Sequence, residues 1–269
     1  MRGSTPRDNG ALTNLTALEA AHIRETDPLA ARYLVPYIVL QTLLKGAERW
    51  CLRLSEQDSA AIAQSRELSE RVARVALSRA GNTDVPPWVF LEERQPGGPF
   101  IALARRMSRS ADVIALRSFD QGEVVGDQVW VIGEKHLLTA GVVASRAYRV
   151  WLDTVTKKSG KKVSVSASAV HNTFPLPHLS DAQQRAIEDA SERMLLARTY
   201  ASPAIFQDLN DRAKMPRPLL QAHDDIDAII AEVFGVDVAC TDAQMQRALI
   251  RSHRELTENA KPPSKNRAA

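Results

Sequence analysis

Two cysteines in 269 residues, Cys51 and Cys240, are too few for a disulfide framework, and they share no C-x-x-C spacing. No apolar run approaches the roughly 18 residues of a membrane-spanning helix. The first ten residues are polar and lack the apolar stretch of a secretory signal, so a cytoplasmic chain with no membrane association is expected. Catalytic signatures are missing too. Neither G-x-G-x-x-G nor G-x-x-x-x-G-K-[ST] occurs, so no backbone cradle for a nucleotide phosphate is visible. H-E-x-x-H is absent, and the six histidines and two cysteines do not cluster at metal-ligand spacing. No G-x-S-x-G marks a hydrolase nucleophile. Glu134-Lys135 lacks the intervening residue of the E-x-K spacing with which many nucleases hold Mg²⁺. Val85-Pro-Pro-Trp88 comes close to the [ND]-P-P-[YFW] motif of amino-methylating DNA methyltransferases. That motif needs Asn or Asp first, to accept hydrogen bonds from the target amino group, and valine cannot do so. The segment is expected to be a proline turn entering a strand. No catalytic, metal or cofactor-binding residue is assigned, and an independent enzyme has no motif behind it.

What is present is an ordinary globular composition, 44% hydrophobic and 25% charged, in a chain long enough for one large domain or two small ones. Such a chain buries a core without staples. Its net charge of +3 is unevenly spread. Residues 1–177 carry +5, residues 178–260 carry −5, and the last nine add +3 through Lys261, Lys265 and Arg267. The asymmetry points to a basic, partner-facing part and an acidic supporting part.

Periodicity and turn residues divide the chain. Ser55 to Gly81 reads as one helix, opened by Ser55 with Asp58 and carried by Ile62, Leu68, Val72, Val75 and Leu77. Its arginines, Arg66, Arg71, Arg74 and Arg79, fit a solvated face with Glu67 and Glu70 as partners. From Asn82 to Gly133 short β-prone runs follow: Trp88–Leu91, Phe100–Leu103, Val113–Leu116 and Val129–Ile132. Proline and glycine breaks between them predict a meander of four or five antiparallel strands. His136 to Thr156 reads as a helix despite Gly141. The C-terminal third reads as helices opened by Ser180 with Gln183, by Pro216 and Pro218, and by Thr241 with Gln244, the second ending at Gly235.

The positive signals are basic. Arg105, Arg106 and Arg109 sit at the end of one expected strand, interleaved with Met107, Ser108 and Ser110. Arginine's planar fork suits guanine edges or phosphates. Lys157, Lys158, Lys161 and Lys162 flank Ser159-Gly160, and residues 145–171 hold six basic residues against the single acid Asp153. These lysines fit a phosphate clamp and equally a solvated loop. Ser164, Ser166 and Ser168 alternate with Val163, Val165 and Ala167 in strand register. That face either offers hydroxyls to a phosphate backbone or is a plain exposed strand face.

Several separated segments carry a resemblance. Pro6-Arg-Asp-Asn-Gly10, Asp27-Pro-Leu-Ala-Ala-Arg-Tyr-Leu-Val-Pro-Tyr37 and Lys45-Gly-Ala-Glu-Arg-Trp-Cys-Leu-Arg-Leu54 resemble the segment following the catalytic domain in MmeI-like restriction–modification enzymes. His171-Asn-Thr-Phe-Pro-Leu-Pro177 resembles the Y-N-T-F-P-W-P signature closing their target-recognition domain. Met215-Pro, Leu219-Leu-Gln-Ala-His223, Ile226-Asp227 and Phe234-Gly235 resemble their helical C-terminal domain. The likeness runs collinearly over essentially the whole chain. Departures are His171 for Tyr or Trp, Leu176 for the second aromatic, and Asn9 for the usual Gly.

The resemblance implies an α+β fold of short antiparallel strands with flanking helices, followed by an all-helical C-terminal domain. Its boundaries would be a connector at 1–54, a DNA target-recognition domain at 55–177, a helical domain at 178–260 and a flexible tail at 261–269. Family members join a nuclease, an adenine-N6 methyltransferase using S-adenosylmethionine, and these recognition parts in one chain. Here the resemblance covers only the recognition parts, so no cofactor is expected in these residues, and a methyltransferase or nuclease catalytic partner is expected elsewhere. Double-stranded DNA is the implied ligand. Arg105, Arg106, Ser108, Arg109, Ser110, Lys157, Lys158, Lys161, Lys162, Ser166 and Asn172 are the expected DNA-contacting residues. Phosphate contacts would set register and a few side chains would read base edges, while a catalytic partner flips the adenine. The alternative is a non-catalytic interaction protein, or truncated remnant, that binds a methyltransferase or defence-system partner through its acidic helical third.

Overall fold

The computed structural model describes residues 1–80, 84–133, 136–157, 160–202 and 205–259. In chain order the elements are α1 (Ala17–Thr26), α2 (Pro28–Ala31), β1 (Leu34–Ile38), α3 (Leu40–Lys45), β2 (Trp50–Leu52), α4 (Ser59–Gln64), α5 (Arg66–Arg79), β3 (Phe100–Ala104), β4 (Arg106–Ser108), β5 (Leu116–Phe119), β6 (Val124–Val125), β7 (Val129–Gly133), α6 (Leu137–Ala144), α7 (Arg146–Val155), β8 (Lys162–Ser164), α8 (Asp181–Thr199), α9 (Arg217–Val233) and α10 (Asp242–Asn259). This is an α+β chain with small, mostly antiparallel sheets and a helical C-terminal part. No helix among the described residues is long and apolar enough to cross a membrane. Contacts divide it into two interleaved units.

The first unit comprises residues 1–105, 115–135 and 201–207. β3 lies between β5 and β7 and is buried along its whole length, which explains its unbroken apolar sequence Phe100–Ala104. The strand order is therefore not the sequential meander expected, because β5 and β7 pair with opposite edges of β3. Phe100 stacks on Phe119 at 5.6 Å across the β3–β5 pair. A second sheet orders β2-β1-β6, and its two-residue β1–β6 pairing is parallel. Two expected strands differ. Residues 88–91 form turns and bends, and residues 113–115 are buried coil, so strand structure begins only at Leu116. The helix expected over 55–81 is interrupted at Ser65, which has extended backbone. Its Oγ accepts the Leu68 N–H at 3.0 Å and donates to Asp27 Oδ2 at 2.6 Å, a cap that starts α5 afresh. Gly81, the expected stop, lies outside the described residues.

Arginines of α5 expected on a solvated face are divided. Arg66 pairs with Glu70 in solvent, whereas Arg71 and Arg79 are buried. Arg71 pairs with Glu67 at 2.6 Å and donates to the Ala11 carbonyl. Arg79 donates to the carbonyls of Pro6, Arg7, Pro86 and Val89. The Pro6–Gly10 segment is thereby a tied loop. Within it buried Asp8 accepts hydrogen bonds from the Gly10, Leu12 and Thr13 N–H groups and from Thr13 Oγ1. Arg7, Asn9 and Gly10 take positive φ around that carboxylate. Gly46 ends α3 at φ +64°, and a Cβ there would lie 2.1 Å from the Phe206 ring.

The second unit comprises residues 106–114, 136–200 and 208–269. The helix expected over 136–156 is two helices broken at Ser145, whose Oγ accepts the Tyr148 N–H and restarts α7. Gly141 is needed because α6 crosses α8 closely. A Cβ at Gly141 would meet Ser191 Oγ at 2.3 Å and Ile187 Cγ2 at 2.6 Å. The expected capping boxes at Ser180 and Thr241 are formed. Between α8 and α9, Arg198 is fully desolvated, and burial lowers its guanidinium to about 10. It donates to Asn210 Oδ1 at 3.2 Å and the Leu209 carbonyl at 2.9 Å, and lies 3.3 Å from His223 Nε2. Burial and the adjacent Arg198 push His223 well below its ordinary value.

Asp8→Ala strands three backbone N–H groups in a loop of the first unit. At about 1–3 kcal/mol per orphaned buried donor, partly relaxed, urea denaturation is expected to show a loss of about 3 kcal/mol. A loss below about 0.5 kcal/mol would refute the assignment. His223 is neutral when folded but takes a proton when unfolded below its ordinary 6.5. The unfolded state then binds more protons, so stability is full above pH 6.5 and falls as pH drops below it, by at most about 1.4 kcal/mol per pH unit. His223→Gln is expected to flatten this slope between pH 7.5 and 5.5 in thermal melts.

Candidate nucleic-acid interface

β4 and β8 form an antiparallel two-stranded ribbon in the second unit, with Arg106 opposite Ser164, Met107 opposite Val163 and Ser108 opposite Lys162. Alternation along the strands puts opposed residues on the same face. Met107 and Val163 point inward, 2% and 3% exposed. Arg106, Ser108, Lys162 and Ser164 make up the outer face, and all four are exposed. The ribbon thus collects two cations and two hydroxyls, with no carboxylate, on one surface. A two-stranded ribbon is also a shape the DNA major groove admits. Three expected contact residues, Arg106, Ser108 and Lys162, meet there, joined by Ser164.

Arg109 and Ser110 leave β4 in a tight turn, where Ser108 Oγ and Ser110 Oγ are 2.8 Å apart. Arg109 is a half-buried hub. Its guanidinium donates to the Gly160 carbonyl at 3.2 Å, to the Lys157 carbonyl, and to Asp153 Oδ1 at 3.1 Å. Its N–H reaches the Lys161 carbonyl at 3.0 Å. Asp153 also pairs through Oδ2 with Arg149 Nη1 at 2.5 Å. Arg149 in turn donates to the Arg109 and Ala111 carbonyls. The sole acid of residues 145–171 therefore ties both approaches to the ribbon to α7. Lys157 and Lys161 are exposed around this hub. Lys158 lies outside the described residues.

The other expected residues have different surroundings. Arg105 belongs to the first unit, where it donates to the Asp127 carbonyl and lies over the Trp130 ring at 4.7 Å. Ser166 caps a π-helical turn, Ala167–His171, by accepting the Ala169 N–H. Asn172 follows that turn and is exposed. The His171–Pro177 signature itself is packing. Tyr148 Oη is hydrogen-bonded to His171 Nδ1, the Tyr148 and Phe174 rings lie 5.2 Å apart, and Phe174 meets Phe234 edge-on at 6.0 Å. Thr173 Oγ1 accepts Trp151 Nε1–H at 3.1 Å, and the Pro175 carbonyl accepts Ser252 Oγ–H at 2.8 Å. Burial lowers the His171 imidazole and favours its neutral form.

Arg146, Arg149 and Arg212 were not singled out in the sequence, and Asp153 only as the lone acid of its stretch. With Arg109 they line a polar cavity of about 570 Å³ in this unit. Arg146 holds Asp242 at 2.7 Å, and Arg212 holds Asp224 and Asp227 at 2.9 and 2.7 Å. Burial raises the Asp227 carboxyl despite Arg212 and the Arg146 N–H beside it. The i,i+4 spacing of Arg149 and Asp153 was the one available signal. Among the described residues no group of His, Cys, Asp and Glu is placed to hold a metal ion.

Comparison with known proteins places the chain in a family and supports its fold. Residues 1–178 match the family model described as MmeI, target recognition domain, and residues 179–260 match MmeI, C-terminal domain. The chain is 24% identical over 263 residues to DNA methyltransferase A of Bacillus subtilis (strain 168), covering 95% of this chain and 30% of that protein. It superposes with a TM-score of 0.86 and 23% identity on the Type IIL restriction–modification enzyme MmeI solved in complex with DNA, covering 96% of this chain and 35% of that one. The chain thus spans about a third of the length of the relatives it matches. It belongs to the MmeI family, whose target recognition and C-terminal domains together account for residues 1–260.

Proposed function

We propose that this chain is the DNA-reading module of a restriction–modification system and binds duplex DNA at a short specific site. The observation that carries the reading is the exposed, carboxylate-free face of the β4–β8 ribbon, in a chain whose family models are a target recognition and a C-terminal domain. In this reading Arg106 and Lys162 contact base edges or phosphates, and Ser108 and Ser164 add hydroxyl contacts. Lys157, Lys161 and Asn172 lie on exposed backbone of the same unit and serve phosphates. Arg109 positions the ribbon, and Ser166 shapes the turn that follows it. Methyl transfer from S-adenosylmethionine, and any cleavage, belong to a catalytic region outside these residues. The proposed division of labour is that phosphate contacts fix register, ribbon side chains discriminate bases, and the catalytic region receives the flipped adenine.

The test is selection from a random duplex pool across a salt series, followed by sequencing of the retained DNA. Enrichment of a short motif, with affinity falling steeply as salt rises, is the expected result. Retention without enrichment would overturn specific reading, and no retention at low salt would overturn DNA binding and leave a protein-interaction role. Arg106→Ala is expected to cost about 1–3 kcal/mol of discrimination at one base position if it reads a base edge. Lys162→Ala, as a phosphate contact, would instead weaken all sequences alike and lower the salt slope by about 1.

Asp153→Ala separates holding from reading. Removing a carboxylate favours non-specific phosphate binding, so non-specific affinity is expected to hold or rise. Selectivity for the enriched site should fall as the Arg109 hub loosens. Equal loss of both affinities would refute the positioning role of Asp153.

A further inference from the structure

We infer that the exposed arginine stripe of α10 is a second polyanion-binding surface, which tracks the phosphate backbone of duplex DNA beyond the sequence that the ribbon reads. Arg247, Arg251 and Arg254 follow i, i+4, i+7 spacing and therefore share one helix face. All three are exposed, opposite the buried Met245, Ala248 and Leu249. None of them has an ion-pair partner among the described residues. Arg146, Arg193 and Arg212 in the same unit each hold an aspartate. Glu255 and Glu258 sit at i+4 from Arg251 and Arg254, yet among the described residues neither closes an ion pair with the stripe, which keeps its charge available.

The stripe borders a groove of about 600 Å³ between α10 and the loop from Gly235 to Cys240. Asp237 is the one carboxylate among the described residues lining this groove, and its Oδ1 accepts the Ala239 N–H at 2.7 Å. Gln244 is likewise engaged in the α10 cap, through Thr241. The charge here runs against its surroundings. Residues 178–260 carry −5, but residues 247–258 hold three arginines against two glutamates. Seven residues of helix advance about 10 Å. Three exposed guanidinium groups on long, flexible side chains along that length suit a run of phosphates, each a bidentate acceptor.

The inference rests on the DNA reading for the identity of the polyanion, and the experiment separates the two. The full chain is titrated against a long and a short duplex, both bearing the selected site, across a salt series. Arg247→Ala/Arg251→Ala/Arg254→Ala is expected to keep the ribbon's site preference, bind the long duplex about tenfold or more weakly, and lower the log–log salt slope by about 2–3. A charge-retaining variant, Arg247→Lys/Arg251→Lys/Arg254→Lys, should keep the wild-type slope. A circular dichroism spectrum matching wild type establishes that the alanine variant is folded. Wild-type affinity and slope in the folded alanine variant would overturn this inference alone. Failure of the wild-type chain to bind any duplex would overturn the DNA reading and this inference with it. Loss of site preference, rather than of salt dependence, would assign the stripe to base reading and overturn it as a backbone-tracking surface.

Discussion

A ribbon of two three-residue strands cannot stand on its own in water, since an isolated hairpin is marginal even when longer. The exposed face of β4 and β8 is polar, and only Met107 and Val163 bury apolar surface from the paired residues. What fixes the ribbon is the carboxylate of Asp153, shared by Arg109 and Arg149. Each arginine then spends its remaining donors on carbonyls of the flanking turns. Either pair alone, partly in solvent, would contribute little. The network differs because one rigid helix, α7, anchors both approaches to the ribbon and converts ion pairs into loop closure.

The same device recurs elsewhere in each unit. Loops that would otherwise leave backbone carbonyls without partners are closed by a buried arginine. Arg79 gathers four carbonyls around the N-terminal loop, and Arg198 gathers Leu209 and Asn210 beside His223. Arginine suits this work because it stays charged, carries five donors in a fixed fork, and is less strongly hydrated than lysine. Among the described residues neither arginine has a carboxylate hydrogen-bonded to it. Neutral acceptors surround each charge, and desolvation accordingly lowers both guanidinium groups.

Much of the architecture was legible because it follows from local chemistry. Ser180, Pro216 and Thr241 open helices where the sequence places them, and Phe100–Ala104 is the buried central strand its apolar run describes. Two breaks were not legible, at Ser65 and Ser145. In both, apolar periodicity continues across a serine whose role as a cap depends on the chain turning there. The pairing of β4 with β8 was equally hidden, because some fifty residues separate them and neither strand alone exceeds three residues. Composition marked the basic residues but could not separate holding from contacting. Arg106 and Arg109 are three apart, yet one is on the open face and the other is folded into a hub. That distinction arises from the turn after Ser108, which is a property of the backbone.

Separating holding from reading has a physical consequence for how specificity changes. On a pleated ribbon, outer residues pack against nothing beneath them, so replacing Arg106, Ser108, Lys162 or Ser164 leaves the inward Met107 and Val163 untouched. Surface substitutions of this kind usually alter stability by less than about 0.5 kcal/mol. Donor and acceptor character on the outer face is therefore free to vary while α7, Asp153 and the arginine pair hold the ribbon in place. The converse holds for the hub, where changing Arg109 would take its donors from the Gly160 and Lys157 carbonyls, and changing Asp153 would release the two arginines it holds, at the end of the ribbon where β4 leaves and β8 enters. On the proposed reading, base preference is free to change through a few outer side chains, whereas the carboxylate that holds the ribbon is not free to change.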